Sequence, residues 1–222
     1  MKRFLTLLLI ASTLAFINQS CKPEPEEPIE ENNNIEENEE SINGHEYVDL
    51  GLPSGLKWAT CNVGAESPED YGDYFAWGET EPKSEYTDDN SVTHGKQMSD
   101  ISGNARYDAA TSNWGGTWRM PTYIEIKELN DNCTWTWTTQ KGVNGCIVTG
   151  PNGKQIFLPA AGSHGYSLYS AGEWGEYWSS TPLDDEEDDD DSEAYELTLT
   201  DSWGLVVDSH RYWGQSVRPV SE

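Results

Sequence analysis

Pro121-Thr122-Tyr123-Ile124-Glu125-Ile126-Lys127-Glu128-Leu129-Asn130-Asp131-Asn132 is the stretch of this 222-residue chain that reads most clearly as a helix. Pro121 precedes the start, and Thr122 offers a hydroxyl cap. Glu125 stands three residues on and completes a T-x-x-E capping box. Ile124, Ile126 and Leu129 supply an apolar side. Residues Asp108–Trp114 read as a second, shorter helix. Around these two the text is one of short strands and turns. His45–Leu50 and Leu56–Val63 are strand candidates divided by Gly51-Leu52-Pro53-Ser54-Gly55. Thr134–Thr139, Gly145–Thr149 and Gln155–Leu158 follow, with Pro151-Asn152-Gly153 as a hairpin turn. Ala194–Thr200 sets Tyr195, Leu197 and Leu199 against Ala194, Glu196 and Thr198, which predicts one buried face. Trp203–Asp208 and Ser216–Val220 complete the set. With no β-α-β alternation, the expected class is α+β: short antiparallel strands, one or two helices and long loops.

Charge and aromatic content narrow the function. The formal net charge is -27. Residues 22–40 hold nine acids and one base, and Asp184, Asp185, Glu186, Glu187, Asp188, Asp189, Asp190 and Asp191 form an unbroken acidic run. The remainder of 43–222 carries 23 acids and 10 bases, still a net of -13. Such a surface repels phosphate backbones and sulfated polysaccharides, which argues against nucleic acid as a partner. Neutral glycans, peptides and cations remain compatible. Ten Trp and eleven Tyr let a polar chain build a core, because each ring buries a large area with few rotatable bonds.

The N-terminus bears on location. Lys2-Arg3 precede an apolar stretch from Phe4 to Ile17 that is too short to cross a bilayer as a helix. Ser20 then precedes Cys21. The arrangement resembles a bacterial lipoprotein signal, cut before a cysteine that becomes lipid-modified. The expected organisation is a signal peptide over 1–20, an acidic disordered tether over 21–42, and one domain over 43–222. Acidic residues directly after the cysteine resemble the surface-export signal of Bacteroidetes lipoproteins. This implies an outer-membrane lipoprotein, lipid-anchored and exposed at the cell surface. Cys61, Cys133 and Cys146 are an odd set in an exported chain; Cys61–Cys133 and Cys133–Cys146 are both conceivable bridges.

Several longer motifs carry a family resemblance. They are Asn43-Gly44-His45-Glu46-Tyr47-Val48-Asp49-Leu50-Gly51-Leu52-Pro53-Ser54-Gly55-Leu56-Lys57-Trp58-Ala59-Thr60-Cys61-Asn62-Val63-Gly64-Ala65, Tyr71-Gly72-Asp73-Tyr74-Phe75-Ala76-Trp77-Gly78-Glu79, Trp118-Arg119-Met120-Pro121-Thr122, Ile156-Phe157-Leu158-Pro159-Ala160-Ala161-Gly162, Tyr177-Trp178-Ser179-Ser180-Thr181 and Ser216-Val217-Arg218-Pro219-Val220. Together they resemble the Fibrobacter succinogenes major paralogous domain, over residues 43–221. The resemblance implies a C-type-lectin-like domain, in which terminal strands pair and long loops form one exposed face. It supplies no catalytic set and no defined ligand.

The physical reading of the motifs is mostly structural. Trp118 is expected to lock the start of the capped helix, and Trp178 to pack in the core of a central strand. Arg119 and Arg218, scarce cations in an acidic chain, are expected to pair with carboxylates. Residues 162–177 differ, because Tyr, Trp, Ser and Gly dominate them, the composition of an adaptable binding loop. Residues 210–214 are similar. Tyr166, Tyr169, Trp174, Arg211, Tyr212 and Trp213 are therefore the candidate ligand-binding residues, for a glycan or for a cell-surface or envelope protein. The acidic run at 184–191 is the candidate for weak calcium binding, without EF-hand spacing.

Catalysis has no matching motif. His45, His94, His164 and His210 do not form H-E-x-x-H, and no G-x-S-x-G or phosphate-binding glycine loop is present. A Cys146–His164 pair has no local support. The expected role is a non-catalytic, cofactor-free binding or adhesion domain. The alternatives are an envelope assembly component with no small ligand, and a hydrolase using paired carboxylates.

Overall fold

A computed structural model of the chain describes residues 41–183, 191–202 and 204–222. The expected signal peptide, the lipidation site Cys21 and most of the tether lie outside the described residues, as do Asp184–Asp190 and Trp203. In chain order the elements are β1 (Ser41–Ile42), β2 (His45–Asp49), β3 (Lys57–Ala59), α1 (Ala109–Trp114), α2 (Tyr123–Asn132), β4 (Thr134–Gln140), β5 (Val143–Thr149) and β6 (Gln155–Pro159). Then come β7 (Ser163–His164), β8 (Leu168–Tyr169), β9 (Gly175–Pro182), β10 (Glu193–Leu199), β11 (Gly204–His210) and β12 (Val220–Ser221). They pair as a four-stranded sheet β1-β2-β3-β12, two three-stranded sheets β11-β10-β9 and β4-β5-β6, and a β7-β8 ribbon. All these strand pairs are antiparallel.

This corrects the expected α+β, C-type-lectin-like class. The structure is mostly β, with 36 % strand against 11 % helical. The physical reason lies in the residues. Outside α2 the apolar side chains come in short alternating runs rich in Trp, Tyr, Thr and Val, which favour a pleated surface. α1 has six residues, and α2 packs across the β11-β10-β9 sheet. Among the described residues no helical layer forms.

Local signals act where they are expected. The Thr122 hydroxyl accepts from Glu125 N, and the Glu125 carboxylate accepts from Thr122 N at 2.8 Å. Arg119 grips both oxygens of that carboxylate, at 2.8 and 2.7 Å. Burial opposes the charge on Glu125, but the Arg119 and Thr122 hydrogen bonds prevail and hold it below its ordinary value. Trp118, fully buried, donates its indole N–H to Ile42 O, which ties β1 to the segment before the helix. Of the expected apolar side of α2, Ile126 and Leu129 are buried, whereas Ile124 is 68 % exposed. Two residues before Ile126, Ile124 turns away from the sheet.

Asp108 caps α1 and does more. One carboxylate oxygen accepts from Thr111 N at 2.9 Å, and the other from Gly103 N and Met120 N at 2.8 and 2.9 Å. Three chain segments therefore depend on one fully buried side chain. Asp108→Ala is expected to cost about 2 kcal/mol, because it orphans three backbone donors. Urea unfolding checks this; a loss below about 0.5 kcal/mol would show that water replaces the carboxylate.

Two cores meet at β9. Tyr177 joins Leu50, Trp58, Ile126, Leu129, Val148, Leu158 and Leu197 in the first. Its neighbour Trp178 joins Val63, Phe75, Trp77, Trp118, Met120 and Val217 in the second. Successive side chains of a strand point to opposite faces, so one strand serves both. Trp178 packs in the core as expected, although β9 ends its sheet rather than lying at its centre. For the same reason the expected single buried face of β10 is corrected. Leu197 and Leu199 are buried, and so are Ala194, Glu196 and Thr198. The 216 region adds only isolated bridges, Tyr177 with Ser216 and Phe75 with Gln215, before β12 begins at Val220.

Arg218 also departs from expectation. It is buried, and its partners are neutral oxygens rather than a carboxylate: Asn62 Oδ1, Ala59 O, Thr60 O and Phe157 O, at 2.7 to 3.0 Å. Neither proposed disulfide forms: Cys61, Cys133 and Cys146 are free thiols.

Candidate functional site

The two stretches singled out by composition come together. His164 N donates to Gly214 O at 2.7 Å, and Gly214 N returns a bond to His164 O at 2.8 Å. This exchange joins the 162–174 loop to the 210–214 loop. A third segment is added by Tyr86, whose N donates to Gly165 O at 3.0 Å. The result is a groove of about 280 Å³ lined by Tyr86, Thr87, Asp88, Tyr166, Tyr212 and Trp213.

The rings form a continuous array. Tyr169 meets Trp213 edge-on at 5.7 Å, Trp213 lies 5.5 Å from Tyr212, and Tyr212 stacks on His210 at 5.4 Å. His94 closes the far end, edge-on to Tyr212 at 5.3 Å. Tyr166 is 73 % exposed and Tyr169 44 %, while Tyr212 and Trp213 are half-buried. Exposed Tyr166 and Tyr169 beside half-buried Tyr212 and Trp213, the latter packed against the second core, make a platform open to solvent.

Glycine makes this packing possible. A Cβ on Gly165 would lie 2.6 Å from the Trp213 ring, and one on Gly214 would lie 2.8 Å from the Tyr86 ring. Both rings rest directly on backbone. The phenol of Tyr86 is held in turn, donating to Tyr74 O and accepting from Lys83 N. Burial pushes the phenols of Tyr74 and Tyr86 up, so both remain protonated donors at neutral pH.

The remaining candidates lie elsewhere. Arg211 is fully buried. It donates to Glu193 O at 2.9 Å and Lys96 O at 2.7 Å, and its guanidinium lies 4.6 Å from the Trp77 ring centre. It pins the 93–96 loop to β10 at 0 % exposure and is not among the residues that line the Tyr86–Trp213 groove, so it leaves the ligand-binding set. Its planar fork satisfies several backbone carbonyls at once, which suits a buried guanidinium. Trp174 is 43 % exposed but lines a separate groove of about 340 Å³ with Trp137, Asn144, Glu173 and Asp201. Of the acidic run, only Asp191 is described; it is half-buried and its carbonyl accepts from Gly95 N. Among the described residues no group of three or more His, Cys, Asp or Glu is arranged to hold a metal.

Cys146 lies in the first core, and burial pushes its thiol up to about 11, so it carries no thiolate at neutral pH. Sequence reading missed Tyr86, Thr87 and Asp88. A single tyrosine in an acidic loop carries no local mark, and its role depends on a contact with Gly165 some eighty positions away. In comparisons with family models, curated proteins and solved structures, nothing matches this chain.

Proposed function

We propose that this chain is a non-catalytic binding module, and that the groove between Tyr86, Tyr166 and Trp213 takes a neutral glycan. The observation that carries the reading is the row Tyr169–Trp213–Tyr212–His210 on a glycine-seated base. A pyranose has an apolar C–H face and a rim of hydroxyls. Ring faces accept the first, and Thr87 and Asp88 at the groove edge accept hydrogen bonds from the second. No Lys or Arg is among the described residues lining the groove, which disfavours an acidic sugar. In the same proposal the domain belongs with the Fibrobacter succinogenes major paralogous domains that its motifs resemble. Lipid on Cys21 holds it at the outer membrane, facing outward.

The test is a glycan array probed with the Cys21→Ser chain, alongside Trp213→Ala and Gly165→Ala. Binding to at least one neutral oligosaccharide is expected. Both further substitutions are expected to weaken it by roughly tenfold or more, the first by removing the central ring and the second by displacing it. Absence of any retained glycan would overturn the reading and favour an envelope protein as partner. The anchor is checked separately, since Cys21→Ser is expected to release the protein from membranes.

A further inference from the structure

We propose that the free edge of β4 is a docking surface, and that its occupant is a second copy of this chain, paired antiparallel about a two-fold axis at Trp137. The other edges of the described sheets are blunted. β1, β7, β8 and β12 are two residues long. The 214–216 segment covers β9, since Ser216 N donates to Glu176 O and Trp178 N to Ser216 O, both at 3.1 Å. β6 ends in Pro159, and its Phe157 O and Pro159 O accept from Arg218 and Tyr177. β11 contains Gly204, Asp208 and His210. Brevity, cover, proline and charge are the devices that keep an edge from pairing. Among the described residues β4 has none of them. Its Thr134-Trp135-Thr136-Trp137-Thr138-Thr139-Gln140 is uncharged in a chain of net charge -27, and it pairs one-to-one with β5 without a bulge.

The hairpin turn decides which groups face outward. Lys141 and Gly142, at φ 47° and 90°, make a two-residue loop, so Gln140 and Val143 bond to each other through both backbone groups. Counting back along the strand, Thr138, Thr136 and Thr134 also face β5. Trp135, Trp137 and Thr139 turn their N–H and C=O to the open edge. No hydrogen bond from another described residue reaches these outward groups. The occupant follows from the residues on the edge. A copy centred on Trp137 sets Trp137 against Trp137, Trp135 against Thr139 and Thr136 against Thr138 of the second chain. Every outward N–H then meets an outward C=O. Aromatic pairs and Thr–Thr pairs are among those that stabilise adjacent strands. The same register brings Lys141, whose side chain is 73 % exposed, beside Cys133 of the second copy, the C-cap of α2. That helix has no basic residue in its last turn, and a cation there suits the negative end of its dipole. Each copy thus supplies what the other lacks, and the two-fold axis closes the contact at a dimer.

The test uses the Cys21→Ser chain under reducing conditions, so that the free thiol of Cys61 cannot bridge two copies. Sedimentation over a range of concentrations is expected to show a monomer–dimer equilibrium. Amide exchange followed by NMR is expected to slow at Trp135, Trp137 and Thr139 as the dimer fills, because their N–H groups become bonded. Thr136→Lys with Thr138→Lys sets like charges directly opposite at two places in this register, and is expected to weaken the dimer by about tenfold or more. Thr136→Lys with Thr138→Glu sets opposite charges at the same two places, and is expected to keep the dimer within about threefold of the natural chain. Thr136 is exposed and Thr138 half-buried, and circular dichroism checks that both variants stay folded. The proposal is overturned if the chain stays monomeric throughout, if a dimer forms while the three amides exchange freely, or if the two double variants dimerise equally well.

Discussion

Arg218→Met is expected to destabilise the domain by about 3–5 kcal/mol, a fall in Tm of roughly 10 °C. The buried guanidinium satisfies Asn62 Oδ1 and three carbonyls, those of Ala59, Thr60 and Phe157. Methionine fills much of the volume and satisfies none of them. Each orphaned acceptor then carries the desolvation penalty that water would otherwise relieve. Burial pushes the Arg218 proton affinity down, but a guanidinium starts so high that it stays charged. Arg218→Lys is expected to recover only part of the loss, since an ammonium has three donors and no fork. Thermal unfolding followed by circular dichroism measures both. A loss under about 1 kcal/mol for Arg218→Met would refute this account of the contacts.

The second large effect depends on pH. Glu196 is buried between Thr198, Ser209 and Gln215, with the Glu176 carboxylate on the neighbouring strand. Burial first, and then the charge of Glu176, push its pKa from 4.5 up to about 7. The folded state therefore binds this proton more tightly than the unfolded state does. Stability is undiminished below pH 4.5, falls as pH rises from there towards about 7, and stays lowered above it. The cost at pH 8 is roughly 3 kcal/mol. Glu196→Gln removes the charge and keeps the side chain's length and one acceptor for Thr198 or Gln215. The variant is expected to be more stable than the natural chain at pH 8 and nearly equal to it at pH 4.5. Glu176 and Asp108, also raised by burial, act in the same direction in both proteins, and Glu125 acts in the opposite one. Subtracting the two urea curves at each pH isolates Glu196. A difference that does not change with pH would rule out a proton held at this site.

The features visible in the sequence are those decided within a few residues. Thr122 and Glu125 cap each other across three positions, and Pro151-Asn152-Gly153 turns β5 into β6, so both could be read directly. The aromatic loops were visible by composition, and Tyr166, Tyr169, Tyr212 and Trp213 do gather. Partners distant in sequence were not legible. Arg211 has the same local surroundings as Tyr212, yet one is buried against Trp77 and the other half-exposed, and nothing in His210–Gly214 distinguishes them. Glu196 alternates like an outward residue, and only the return of 209–216 over that face buries it. Both helices form where they are expected, but the many short Thr- and Trp-rich runs outweigh them, and the fold is mostly β.

The pairing of β3 with β12 fixes when this domain can finish folding. Lys57 and Trp58 wait for Val220 and Ser221, Ala59 N for Pro219 O, and Val63 N for Val217 O. Closing a loop of about 160 residues costs roughly 4–5 kcal/mol in chain entropy before any of those bonds repays it. High contact order of this kind slows folding and postpones the last cooperative step until the final strand has been made. A partly synthesised chain thus leaves the β3 edge and the acceptors of Arg218 without their native partners until residues 217–221 arrive.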